Sequence, residues 1–512
     1  MKNVIRYGFV GILGILLFAS CYRDKGNYSY KDLNEISIEL PEEVSVRQGM
    51  VLNVSPEITF ALEDVEENLS YEWVVSIPTT ADSVNVVLST EKEFSKQIDY
   101  TAGNTYPFSF KVTDNNTGVT YRKGMKLRVI TNYQPGYFVI EQNDDHGDIS
   151  FYNTETNSAY YNVFSDENPG MTLKSNVTDF FSIDFKGYSL KTGDESVNVA
   201  AGNLSMLFGE DWGYVIDYRT MRVISDIEQV FGTRPEVIRP QYLAMEQSPN
   251  FMLINDGKMY RMYQNEGQNL FGEAFVSPDG LDYELGPFVG TGFNYRGLHG
   301  VLFFDRLNHR FYTISPAASL IFSSNESKYI VQEKDGEGNV ISADTIVDAA
   351  KINENWELIG MPQGGMSNTY YYMVFKAPDN VYTIPYNIPS GGFAAGPLNV
   401  ATEEVAPGMG NSPVFVAPTG RSQVYYANGN EIRLYDMFAG TSKAIYTFPE
   451  GEDVVSIVLP TTDGLNLTAA TYNGSKGALY AFTLVNTGDL KDAEPKLLAT
   501  DFGKIKKIVY KK

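Results

Sequence analysis

The chain has 512 residues, 43% apolar and 13% aromatic, enough to build roughly two to four packed domains. Its formal net charge of −23 would repel a polyanion over most of the surface, which excludes nucleic acid as a natural partner. A single cysteine, Cys21, excludes an intrachain disulfide, so stability has to come from packed cores alone.

Residues 1–20 predict a lipoprotein signal peptide. Lys2 and Arg6 form the charged leader, residues 10–18 the apolar run, and Ala19-Ser20-Cys21 the small-residue cleavage site. The apolar run is shorter than the ~20 residues of a spanning helix, which argues against an uncleaved membrane anchor. Cleavage would leave Cys21 as an acylated N-terminus, tethering the protein to a membrane through lipid, and would take the net charge from −23 to −25. A lipidated cysteine is neither a nucleophile nor a metal ligand. Residues 21–34 are polar and mixed in charge and read as a flexible tether.

Over residues 35–131 short runs alternate apolar and polar positions: ISIEL, VLNVSPEI, LSYEWVVSI, VNVVL, FSKQIDY, YPFSFKVTD and VTYRKGMKLRVI. That period of two, broken by Pro41, Gly49, Pro78, Gly103 and Gly118, predicts an antiparallel β-sandwich. Trp73 falls mid-strand, where a large ring fills the space between two sheets. Asp114 and Asn115 ahead of Gly118 predict a hairpin turn.

The stretch Cys21-Tyr22-Arg23-Asp24-Lys25-Gly26-Asn27-Tyr28, then Tyr30-Lys31-Asp32-Leu33-Asn34-Glu35-Ile36 and a sandwich carrying Tyr71-Glu72-Trp73, resembles the PKD-like lipoprotein family of Bacteroidota. The likeness covers about the first quarter of the chain. It lacks the Asp-Phe-Gly-Asp-Gly turn of ordinary PKD repeats, so it implies a related sandwich and no more. The resemblance implies an outer-membrane lipoprotein, facing the cell exterior, that accompanies a SusC/SusD-type importer in nutrient uptake. Asp24 close behind the cysteine is similar to the short charged signals of surface-displayed lipoproteins. No catalytic residue is implied.

Residues 136–512 read as a repeat of structure rather than of identity. SPVFVAP, QVYYANGNEIRLYDM and KAIYTFP give an inner strand, a hairpin and an outer strand; VVSIVLP, LNLTAATYNGSKGALYAFTL and PKLLA repeat that order. Further hairpins occur at YFVIEQNDDHGDISFYN, LSMLFGEDWGYVIDY, FMLINDGKMYRMY, VLFFDRLNHRFYTI and YYYMVFKAPDNVYTIPY. Seven units of roughly fifty residues fit four-stranded propeller blades. The run IKKIVY at 505–510 is one strand too many, and the unit starting at Tyr137 is one strand short. The C-terminal strand is therefore expected to complete the first blade and close the ring. The predicted fold is all-β: a PKD/Ig-like sandwich followed by a seven-bladed β-propeller.

The turns between the second and third strands of the blades gather on one face. Most of their Asp and Asn residues suit tight turns, but Trp212 has no conformational reason to be in one. Its indole either faces a ligand, a sugar ring or a peptide side chain, from the rim, or turns back over its own blade; Asp211 and His146 are candidates beside it. The segment GPFVGTGFNYRGLHG, residues 286–300, joins glycines to Phe293, Tyr295, Arg296 and His299, as a binding pocket or as strand packing. Asp144, Asp145 and Asp148 offer a weak Ca²⁺ site or merely an acidic turn, since the EF-hand spacing is absent. None of His146, His299 and His309 stands in a metal-ligand spacing, and no nucleophile elbow or phosphate loop occurs, so no catalytic residue and no cofactor is expected. Three functions stay open: capture of an oligosaccharide or peptide, hydrolysis or lyase chemistry by ring-face carboxylates, and structural docking on an importer.

Overall fold

The computed structural model describes residues 34–62, 66–78, 83–143, 145–183, 189–192, 195–198, 204–247, 250–265, 268–293, 299–315, 321–324, 327–365, 370–387, 392–393 and 399–511. It divides into two compact units, residues 1–130 and 131–512. The expected signal peptide, Cys21 and all of the expected tether except Asn34 lie outside the described residues. Among the described residues no helix is long and apolar enough to cross a membrane.

In the first unit the strands Glu43–Arg47, Thr120–Ile130, Thr105–Asp114, Leu69–Pro78 and Ser83–Ser89 form one sheet in that order. The pairs Ile36–Glu39 with Glu57–Phe60 and Val51–Val54 with Phe94–Gln97 complete the sandwich. Alternate residues of all these strands meet in one core, with Trp73 fully buried against Phe94, Phe108 and Phe110. Its indole N–H donates to the Glu91 and Lys92 carbonyls, each at 3.1 Å, so the one polar atom of the ring is satisfied. One pairing departs from the antiparallel expectation: Glu43–Arg47 runs parallel to Thr120–Ile130. Pro41 lacks an N–H and ends the first strand, so the chain crosses there and joins the other sheet from the same end as its new neighbour.

The second unit is a seven-bladed β-propeller. Each of the seven sheets is built around a central antiparallel hairpin: Gly136–Gln142 with Gly147–Asn153, Leu204–Gly209 with Gly213–Asp217, Asn250–Asn255 with Lys258–Asn265, His299–Asp305 with Arg310–Ser315, Tyr370–Lys376 with Val381–Asn387, Gln423–Asn428 with Glu431–Asp436, and Asn466–Tyr472 with Gly477–Thr483. The inner strand of the first blade is Ile505–Lys511, paired antiparallel with Gly136–Gln142 so that Tyr510 lies opposite Tyr137. The strand Tyr370–Lys376 is buried on both faces, which explains why its run YYYMVF is apolar without alternation. Tyr425 faces the seam to blade 7, and its neighbour Tyr426 faces the seam to blade 5.

Seven apolar clusters, one per seam, close the ring. They include Phe138 with Phe180 (blades 1 and 2), Phe208 with Leu253, Ile254 with Val301, Phe304 with Phe375, Val374 with Tyr426, Leu434 with Phe482, and Ala470 with Val139 and Ile508 (blades 7 and 1). Two hairpins depart from the repeat. Ser189–Thr192 and Glu195–Asn198 leave blade 2 and extend the outer edge of blade 3, and Lys328–Lys334 pairs with Val340–Asp348 as a separate ribbon between blades 4 and 5.

Candidate functional site

The inner strands of blades 7, 1, 2 and 3 follow one another around the ring axis and bring together residues far apart in sequence. Asp179 and Phe181 stand on the same face of the inner strand Val177–Ile183, two residues apart. Lys507, from the C-terminal strand, places its ammonium 2.5 Å from Asp179 Oδ1 and 5.6 Å from the centre of the Phe181 ring. Phe181 meets Tyr242 of the next inner strand edge-on, ring centres 4.9 Å apart at 67°. Burial pushes the Tyr242 phenol well above its ordinary pKa, with Tyr371 and Asp179 adding to the rise, so it stays a neutral donor. Tyr371 is pinned by a two-way bond: its hydroxyl accepts from Thr291 N–H at 3.0 Å and donates to Thr291 O at 2.9 Å.

Lys507 keeps 41% of its side chain exposed and Asp179 16%, so the ion pair is reachable from solvent while the carboxylate is held by the strand. The Phe180 N–H also donates to Asp179 Oδ1, at 2.7 Å. A cation, a carboxylate, a phenol and an aromatic face on one lining can grip a ligand with apolar ring or side-chain surface and hydrogen-bonding groups. Nothing in the sequence reading singled these residues out. The usable signal is the closure argument itself, because assigning residues 505–510 to blade 1 puts Lys507 beside the first inner strand that follows, Val177–Ile183.

Among the described residues, those expected from sequence do not assemble into one site. Trp212 is only 5% exposed and turns back over its blade: its indole N–H donates to Ser175 O at 3.3 Å and its ring meets Tyr214. Gly209 makes room for that ring, since a Cβ there would stand 2.0 Å from an indole carbon. Trp212 is therefore a core residue and not a rim contact. Asp211 is exposed in the same turn. His146 lies in the first blade's turn, its Nδ1 2.6 Å from the exposed Asp145, whose carboxyl the histidine draws below its ordinary pKa.

Asp148 corrects the Ca²⁺ expectation. It is 1% exposed, and its Oδ1 accepts the backbone N–H groups of Phe164 and Ser165 at the start of the short helix Val163–Glu167, at 3.1 and 3.4 Å. The Ser165 hydroxyl donates to its other oxygen at 2.5 Å, so the carboxylate is taken up as a helix cap. Asp144 lies outside the described residues, and among the described residues no group of three acidic, His or Cys side chains could hold a metal ion.

Phe293 and His299 are opposed at the end of the Leu285–Phe293 and His299–Asp305 pair; Tyr295 and Arg296, between them, lie outside the described residues. That end of the strand is opposite to the turn at residues 306–309, so Phe293 and His299 stand at the other face of the ring from Trp212, Asp211 and His146. Asp305 and Asn255, in turns on the Trp212 face, do structural work. Asp305, fully buried, accepts the N–H groups of Glu284, Leu307 and Asn308, and Asn255 bonds Arg239 N–H and Val237 O, each at 2.8 Å.

Among solved structures the chain is similar to a quinonprotein alcohol dehydrogenase-like protein from Bacteroides thetaiotaomicron, at 15% identity over 92% of this chain and 96% of that one, TM-score 0.40. It is also similar to the Dos1 propeller, at 10% identity over 74% and 87%, TM-score 0.39, and to a protein from Lactobacillus plantarum, at 11% over 74% and 99%, TM-score 0.42. No curated protein matches the sequence. The sequence profile of the PKD-like family matches residues 21–176, which cover the whole of the sandwich and run into the first blade of the propeller.

Proposed function

We propose that the protein is a non-catalytic, lipid-anchored binding protein of the outer-membrane surface, whose propeller captures an oligosaccharide or a peptide for a SusC/SusD-type uptake system. The observation that carries this reading is the lining formed by Lys507, Asp179, Phe181 and Tyr242 around the ring axis. It offers aromatic surface and one paired charge of each sign, which suits a ligand with little net charge. The leader and Cys21 support the anchor, and the resemblance at residues 21–36 supports the uptake setting.

A second reading, docking on the importer without ligand capture, draws support from the exposed Val276, Leu281 and Leu307 near the junction of blades 3 and 4. Asn308 donates to Asp282 O at 2.8 Å, which holds two of these segments side by side.

The test is a calorimetric screen of the full chain in detergent against neutral oligosaccharides and short peptides, with products assayed in the same samples. Capture at the axis predicts binding without products, weakened at least about tenfold, or 1.4 kcal/mol, by Phe181→Ala or Lys507→Met. No binding by any panel member would leave docking as the function, and released products would make the protein an enzyme.

A further inference from the structure

We propose, resting on the capture reading, that the connection between blades 4 and 5 carries a second subsite, specific for a neutral oligosaccharide and built on Trp356. After the ribbon of Lys328–Lys334 and Val340–Asp348 the chain returns to the ring through residues 349–356. This return is fixed to blade 4. Phe311 N–H donates to Ala349 O and Ile352 N–H to His309 O, both at 2.7 Å. Its last turn is set by Asn353, whose side-chain oxygen accepts Asn355 N–H and whose carbonyl accepts Trp356 N–H, both at 2.9 Å.

The fixed segment bounds an open cleft of about 410 Å³, within the range of ligand sites, lined by Asp348, Lys351, Glu354, Asn355 and Trp356 among others. The Trp356 indole is stacked on Tyr382, ring centres 4.3 Å apart at 18°, and braced by Phe375 at 5.8 Å. Tyr382 and Phe375 of blade 5 brace the ring, which is only partly buried and is itself part of the cleft lining, so it stands there as a held platform. The indole N–H has no hydrogen-bond partner among the described residues, unlike those of Trp73 and Trp212.

The polar lining decides the class of ligand. Asp348 is paired with Lys328 at 3.4 Å, so the remaining charges are one carboxylate, Glu354, and one ammonium, Lys351, both exposed. A cleft near neutrality in a chain of net charge −23 does not select a cation, and its carboxylate disfavours an anion. A pyranose ring fits. Its C–H face stacks on the indole, while vicinal hydroxyls donate to the Glu354 carboxylate and accept from the Asn355 amide, the Lys351 ammonium and the indole N–H.

Because Trp73 is fully buried and Trp212 is 5% exposed, Trp356 is the solvent-accessible fluorophore of the three tryptophans. The full chain is titrated with maltohexaose, cellohexaose, xylohexaose and mannohexaose, and with a capped lysine-rich octapeptide, by emission and by calorimetry. At least one hexaose should give a saturable emission change and protect Trp356 from acrylamide. Glu354→Gln and Asn355→Ala, on exposed side chains outside the core, should each raise the Kd for that sugar at least tenfold; Glu450→Gln on a distant surface should not. Trp356→Ala should abolish the emission change and weaken binding most, with its melting profile as a folding control. A hexaose that binds by calorimetry with Trp356 emission unmoved and both variants unaffected would overturn this subsite and leave capture standing. Binding of the octapeptide alone would overturn the sugar assignment, and no heat with any probe would remove the capture reading as well.

Discussion

Glu141 sits 4% exposed on the second strand of blade 1, in the seam that the C-terminal strand closes. One carboxylate oxygen accepts the Gly503 N–H, and the other has no well-formed hydrogen bond, although the Ser150 hydroxyl is near enough to ease its charge. Burial raises its pKa, Ser150 and Gly503 pull it partly back, and Asp148 opposite adds to the rise. A raised carboxyl gives its full contribution to stability below the unfolded value and loses it as pH climbs through the folded one. Glu141→Gln, which keeps an acceptor for Gly503 and removes the charge, should therefore raise the melting temperature at pH 7, with the gap to the wild type closing near pH 4.5. The gain should be of order 1 kcal/mol, or roughly 1–3 °C for a unit of this size. An unchanged or lower melting temperature at pH 7 would mean that the carboxylate is charged and useful in the fold. Single side chains were the least legible part of the sequence for the same reason that Glu141 was: partners decide their roles. Trp212 stays open between a rim contact and a ring turned over its own blade because its partners, Gly209 and Ser175, only become neighbours when the blade forms, and Asp148 stays open between a weak cation ligand and an acidic turn because the helix it caps begins fifteen residues later.

Among elements, the central hairpins were the legible ones, because a strand buried on both faces is marked by a dense apolar run and its turn by Asn, Asp and Gly. The turn between Asn255 and Lys258 shows why: Asp256 and Gly257 both take positive φ, 50° and 69°, as a two-residue hairpin connection requires. The two extra hairpins carried no such mark. Ser189–Thr192 pairs in parallel with Gln268–Phe271, in a different blade and about eighty residues away, and the second strand of the 328–348 ribbon is exposed at most positions, so neither shows a core pattern. The closing strand is different again, readable only by counting strands. Its contribution is testable at Ile508, which is 1% exposed between blades 1 and 7 and whose N–H donates to Ser456 Oγ at 3.2 Å. Ile508→Ala should lower the unfolding free energy of the propeller by about 2–5 kcal/mol in urea titration. Removal of residues 505–511 should go further, exposing the edge of Gly136–Gln142 and leaving a soluble fraction that self-associates in sedimentation. A truncated chain that stays monomeric with an unshifted urea midpoint would show that the ring does not depend on its clasp.

At the scale of the molecule, the axis lining was invisible in sequence because Asp179 and Lys507 are 328 positions apart and meet only when the ring closes. What could be read was the division of labour: alternating short strands without a repeat up to about residue 130, then a fifty-residue period to the end. The structure gives each part its own apolar core, one drawn from residues 36–129 and the seam clusters of the propeller from residues 133–510. With no disulfide in either, each stands on its own buried area. Two cores of such different size should unfold as two transitions with different urea slopes, since the slope follows the surface exposed. The three tryptophans allow the smaller one to be watched alone: in the double variant Trp212→Phe, Trp356→Phe, the remaining fluorophore is Trp73 at the centre of the sandwich. Its emission should report a slope of about 1–2 kcal/mol per molar urea, as for a domain of about a hundred residues. Circular dichroism, dominated by the propeller, should report a steeper second transition. Coincident curves with one common slope would mean that the sandwich cannot stay folded once the propeller has opened, and the two cores would then have to be treated as a single cooperative unit.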